Sequence, residues 1–131
     1  MTYLVDTDFV VDYLKGKLQV VDTLNTLVEK GLAISIITYG EIYEGIYFGK
    51  NPKSAEKGFL AFLRVVDILL LNRTVMKRFA LIRGDLRQKG KLIGDPDILI
   101  AATAIVHGLA LLTRNKKDFQ KIKGLVLFSE K

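Results

Sequence analysis

A chain of 131 residues, half of them hydrophobic, can close one core and carries too many apolar side chains to remain disordered. It has no cysteine, which excludes disulfides, thiolate metal sites and cysteine nucleophiles. The formal net charge is +6, and between Arg73 and Lys123 there are twelve Lys or Arg and four Asp, so either a solvated basic surface or a polyanionic partner such as nucleic acid is open.

The N-terminus opens on an apolar run at 3–5, too short to span a bilayer and interrupted by Asp6. Met1-Thr2-Tyr3 lacks the basic lead of a signal peptide, so a soluble cytoplasmic protein is expected, with no membrane partner. Residues 3–5 read as a strand feeding a helix at 7–14, and a second helix is expected at 18–29. A strand at 33–36 leads to a helix at 38–48, whose Tyr39, Ile42, Tyr43, Ile46 and Tyr47 make an apolar stripe wider than one core face requires. A helix at 54–65 carries Phe59, Leu60, Phe62 and Leu63, and a strand at 67–71 follows. In the helix expected at 73–88, Val75, Phe79, Ile82 and Leu86 form the core stripe, with Arg73, Lys77 and Arg87 opposite.

The helix at 96–106 is apolar almost all round, as expected of a helix buried on several sides. Asp95 is its expected N-cap and Pro96 its first residue. His107 ends it beside Gly108 and is read as a local helix-end contact. A strand at 110–113, a helix at 116–121 and a fifth strand at 125–128 complete the chain. Gly16, Gly31, Gly49, Gly90, Gly108 and Gly124 fall where elements should end. Alternating strands and helices of these lengths indicate α/β architecture: one domain over 1–131, a three-layer α/β/α sandwich around a parallel sheet.

Four polar positions have two readings each. Asp6 could cap the first helix. Glu41 stands three residues after Thr38, the spacing of a capping box. Asp97 lies in a first turn, where the helix dipole favours an anion. Asn115 could be a turn residue. The set says more than its members. Crossover helices run antiparallel to the strands they join, so Asp6 and Asn115, after strands, and Glu41 and Asp97, in first turns, belong to the carboxyl edge of the sheet, where open α/β sheets keep their chemistry. If the strands at 3–5, 33–36 and 110–113 are neighbours, the acids converge. Clustered carboxylates need a proton or a cation, and hard oxygen donors suit Mg²⁺ or Mn²⁺, which acidify water and stabilise displacement at phosphorus. A basic surface beside such a pocket fits a nuclease.

Leu4-Val5-Asp6-Thr7-Asp8, Ile37-Thr38-Tyr39-Gly40-Glu41, Asp97-Ile98-Leu99-Ile100-Ala101-Ala102 and Thr113-Arg114-Asn115-Lys116-Lys117-Asp118-Phe119 resemble, in order, the motifs of PIN-domain ribonucleases, most closely VapC-type toxins of toxin–antitoxin pairs. The resemblance implies a five-stranded parallel sheet, a Mg²⁺- or Mn²⁺-dependent endoribonuclease acting on RNA, a homodimer and a small protein antitoxin. By motif, Asp6, Glu41 and Asp97 match the three acidic metal-site positions, and Asn115 matches a fourth catalytic position that is often Asp. Asp8 is a candidate supporting residue, while Asp95 and Asp118 are nearby acids that could compensate for the neutral Asn115, with capping or surface roles favoured for both.

Two rivals remain at this point. Asp6-Thr7-Asp8 also matches the nucleophile and acid of haloacid-dehalogenase-type phosphatases, although no Gly-Thr follows the second Asp. Alternatively, the chain is a non-catalytic module that binds nucleic acid or a protein and keeps its acids as caps.

Overall fold

The computed structural model describes residues 2–129. The elements are β1 (Tyr3–Val5), α1 (Thr7–Leu14), α2 (Leu18–Leu27) with a 3₁₀ turn at Val28–Lys30, β2 (Leu32–Ser35), α3 (Ile36–Tyr47), α4 (Pro52–Leu63), β3 (Val66–Leu69), α5 (Arg73–Gln88), α6 (Asp95–His107), β4 (Ala110–Leu112) and α7 (Lys116–Phe119). Each strand-to-strand connection is helical, and the four strands form one parallel sheet in the order β3-β2-β1-β4.

Strands buried on both faces should be apolar at every position, and successive side chains should enter opposite layers. Leu4, Ala33 and Leu111 enter one core with Val75 and Leu86 of α5, Ile98 and Ala101 of α6, and Phe119. Their neighbours Val5, Ile34 and Leu112 enter the other core with Val10 of α1, Leu24 of α2, Ile42 of α3 and Phe59 and Phe62 of α4. This is the expected three-layer sandwich. Phe59 and Phe119 are fully buried, and truncating either to Ala should cost about 3–5 kcal/mol.

The sheet has four strands, not five. Residues 125–128 run beside β4 but make a single parallel bridge, Leu127 to Leu111, with backbone bonds Leu111 N–H to Val126 O and Phe128 N–H to Leu111 O, both 2.9 Å. Both bonds centre on the one residue Leu111 of a three-residue strand, so no ladder propagates.

Helix starts also shift. Ser35 caps α3 by accepting from the Ile37 N–H at 3.0 Å, so that helix begins at Ile36 and there is no Thr38–Glu41 capping box. Gly94, not Asp95, is the N-cap of α6. Of the seven α6 residues from Ile98 to Ala104, all but Leu99 are buried, as a helix enclosed on several sides requires. It ends at Gly108 in the left-handed conformation, φ 66°, where His107 Nδ1 meets Thr103 O at 3.0 Å. Gly49 differs from the other expected end-glycines: its φ is not positive, but a Cβ there would lie 2.7 Å from Gly45 O.

The wide stripe of α3 is largely absorbed within the chain. Tyr39, Tyr43 and Tyr47 form successive ring contacts, and Tyr39 and Tyr43 both meet Phe59. Tyr47, Phe48 and Leu60 remain exposed. Among the described residues, no helix is long and apolar enough to cross a membrane.

Candidate active site

From β1 the chain moves through β2 to β3 on one side of the sheet, then returns across it to place β4 on the other side of β1. β1 and β4 therefore flank the point where the strand order reverses, and ligands of open α/β sheets bind at the carboxyl ends of such a pair. Asp6 leaves β1 there, and Thr113-Arg114-Asn115 leaves β4.

Asp6 is buried and does two structural jobs at once. Its Oδ1 accepts from the Thr7 N–H at 2.8 Å, capping α1, and its Oδ2 accepts from the Thr113 hydroxyl at 2.7 Å. Both readings of Asp6 are thus compatible: it caps a helix and stands at the switch point. Burial pushes its carboxyl up to about 7, reinforced by the charges of Asp8 and Asp97 and opposed by the two hydrogen bonds. Asp97, in the first turn of α6, is also raised, first by burial and then by Glu41, Asp118 and Asp8. Glu41 is exposed in the second turn of α3, and its Oε1 accepts from the Thr7 hydroxyl at 2.6 Å. The hydroxyls of Thr7 and Thr38 lie 3.0 Å apart, so α1 and α3 are tied together beside the acids.

On the β4 side, the Asn115 amide donates to Asp118 Oδ2 at 3.1 Å. That bond, with Lys121 3.4 Å away, holds Asp118 below the usual carboxylate range. The charge of Asp118 contributes to the rise at Asp97, so this partly exposed acid lies near the acidic group. Asp8 accepts from the Arg114 backbone N–H at 3.2 and 3.4 Å. One turn on, buried Asp12 pairs with Arg114 Nε at 3.0 Å and Lys17 Nζ at 3.1 Å. This network pins the loop after β4 to α1. From the sequence Arg114 has only a place in the Thr113-Arg114-Asn115 motif and Asp12 has no assigned role; the signal for Asp12 is its i, i+4 spacing from Asp8, which puts two acids on one helix face. Asp95 turns away and pairs with Arg83 at 2.9 Å.

Asp6, Glu41 and Asp97 are therefore brought into electrostatic range, directly or through one another, but not into a closed cage. Among the described residues no three acidic or imidazole side chains are close enough to hold a metal as they stand. The Thr7 and Thr113 hydroxyls hold the side chains of Glu41 and Asp6 in separate hydrogen bonds. None of the three acids is in an ion pair with a basic side chain among the described residues. Uncompensated oxygen donors, two of them raised towards protonation, match the chemistry of a hard divalent cation. An apolar groove of about 420 Å³ opens from Glu41 between α1, α3 and α4, lined by Val11, Leu14, Ile42 and Ile46.

The PIN domain family model matches residues 3–125. Ribonuclease VapC1 of Methanocaldococcus jannaschii is 34% identical over 129 residues, covering 97% of this chain and 87% of that protein. Ribonuclease VapC1 of Rickettsia felis is 36% identical over 129 residues, covering 95% and 93%. Among solved structures, VapBC2 from Rickettsia felis bound to a DNA fragment from its promoter matches with a TM-score of 0.93 at 28% identity, over 100% of both chains. The chain therefore belongs to the PIN-domain family and, within it, to the VapC ribonucleases.

Proposed function

We propose that this chain is a divalent-metal-dependent endoribonuclease, the toxin of a toxin–antitoxin pair, with Asp6, Glu41 and Asp97 as the acids that hold Mg²⁺ or Mn²⁺. The observation that carries the reading is the position of Asp6: a buried carboxylate at the switch point, raised to about 7, with Asp97 contributing to the rise. When bound, the cation supplies Lewis-acid stabilisation of charge at phosphorus and an acidified water. The protein residues do the positioning. Thr113 orients Asp6, Thr7 orients Glu41, and Asn115 stands as a neutral fourth group whose amide is tied to Asp118. Lys116 and Lys117 are exposed beside this edge and suit the RNA backbone.

Membership of the PIN family leaves no support for the phosphatase alternative, in which Asp6 would become phosphorylated. Neighbouring structures described as VapBC complexes support a small protein antitoxin for this chain. The exposed Tyr47, Phe48 and Leu60 support self-association as a homodimer. The decisive experiment is RNA cleavage with Mg²⁺ or Mn²⁺ against EDTA, with single-stranded DNA alongside. Metal-restored cleavage of RNA is expected, and metal-free binding of RNA without cleavage would favour the non-catalytic module instead.

A further inference from the structure

A cavity of about 310 Å³ is lined by residues of α2 and of the segment that leaves β4, and it is joined to the acids through one lining residue. Thr113 lines it while donating to Asp6 at 2.7 Å, and Phe9, whose N–H donates to Asp6 O at 3.1 Å, lines it as well. Phe128 supplies a second ring, Gln19 an amide, and the exposed Arg114 and Lys116 two cations. We propose that this cavity is a nucleobase subsite, taking one unpaired base of single-stranded RNA next to the scissile phosphate. The inference rests on the ribonuclease reading and adds to it a place where the substrate is recognised.

Three features favour a base. Sequence-specific RNA recognition uses unstacked bases laid on aromatic or guanidinium planes and hydrogen-bonded at their edges, and phenyl rings with an amide and an arginine are that combination. The volume is at the low end of the roughly 300–1,000 Å³ of small-ligand sites, so it admits a single nucleotide and not a folded element. Of the two cations, Arg114 is held against buried Asp12, while Lys116 is exposed and in no ion pair among the described residues, so it can neutralise a phosphate beside carboxylates that would otherwise repel it. The apolar groove at Glu41 lacks this mixture and fits a base less well. Phe9 is half-buried and, among the described residues, forms no ring pair, so one aromatic side chain lies at the site without a stacking partner.

The test couples a substrate change to a protein change. An RNA oligonucleotide cut by the wild-type protein is resynthesised with single abasic positions around the cleavage site. One position is expected to lower kcat/KM by about tenfold, within the range for loss of one base stack. In Phe9→Leu, which keeps an apolar side chain, and in Gln19→Ala, at an exposed position, the penalty at that same position should shrink while penalties elsewhere stay. A penalty unchanged in both variants would overturn the subsite while leaving the ribonuclease intact. No cleavage of any RNA by the wild type with Mg²⁺ or Mn²⁺ would instead overturn the underlying reading. A readout independent of cleavage uses Phe9→Trp, the only tryptophan in a chain that has none. In EDTA its fluorescence should respond to single-stranded RNA and not to inorganic polyphosphate. An equal response to polyphosphate would show phosphate attraction without base binding and overturn the proposal.

Discussion

Replacing Asp6 by Asn tests whether the buried carboxylate at the switch point is as strained as its surroundings imply. Folding raises its pKa from 3.8 to about 7, so between those values the folded chain binds more protons than the unfolded one. Its contribution to stability is complete below about pH 4 and is lost as pH rises through about 7. A rise of roughly three units at about 1.36 kcal/mol each gives up to about 4 kcal/mol. Because Asp6 is only 5% exposed, solvent screening reduces this little. Asn preserves the shape, keeps an acceptor for the Thr7 N–H and can donate to Thr113, at a cost on the order of 1 kcal/mol for the exchanged bond. In EDTA, thermal or urea unfolding followed by circular dichroism should find the two proteins within about 1 kcal/mol near pH 4. Near pH 8 Asp6→Asn should be the more stable by a few kcal/mol. Added Mg²⁺ or Mn²⁺ should stabilise the wild type at the higher pH and not the variant. Stability curves that stay parallel from pH 4 to pH 8 would refute the assignment of a raised, uncompensated carboxylate.

Glu41→Gln should remain folded, because Ser35 and not Glu41 caps α3, yet lose more activity than the roughly 10–100-fold typical of residues that only support a metal ligand. A companion Ser35→Ala should show the reverse pattern, losing about 0.5–2 kcal/mol of stability by urea titration. Asp95→Asn removes only an exposed pair with Arg83, so melting should move by no more than about 1 kcal/mol equivalent and RNA cleavage should persist. Asp97→Asn should melt at or above the wild-type temperature and not cleave; the opposite pattern would put the ligand on Asp95. In sedimentation, the wild type should be a dimer at micromolar concentration and Phe48→Ser, which alters a side chain 88% exposed, should shift it towards monomer. A monomeric wild type would leave the exposed aromatic end of α3 to another partner.

Four of the strands and the edge that carries the acids were legible because they follow from patterns short in sequence. Tyr3–Val5 and Ala110–Leu112 are apolar runs bounded by polar turns, and parallel connectivity alone puts Asp6, Glu41, Asp97 and Asn115 at one edge. Local competition between neighbouring caps was not legible. Ser35 reads as part of a strand, yet its side chain reaches Ile37 N–H first and starts α3 two residues before Thr38. At 125–128 an apolar run met only one pairing residue in a short strand. The contacts that steer the acids were the least visible: Thr113 with Asp6 and Arg114 with Asp12 join residues about a hundred positions apart.

Hydrolysis through an acidified water, the core of the proposed chemistry, is read most directly from the ends of the cleaved RNA. Cleavage in ¹⁸O-labelled water with Mg²⁺ or Mn²⁺ should place the label on a 5′-phosphate and leave a 3′-hydroxyl on the other fragment. Cleavage that survives EDTA and yields unlabelled 2′,3′-cyclic phosphates would contradict it, because the 2′-hydroxyl would then be the nucleophile and the acids at Asp6, Glu41 and Asp97 would need another explanation.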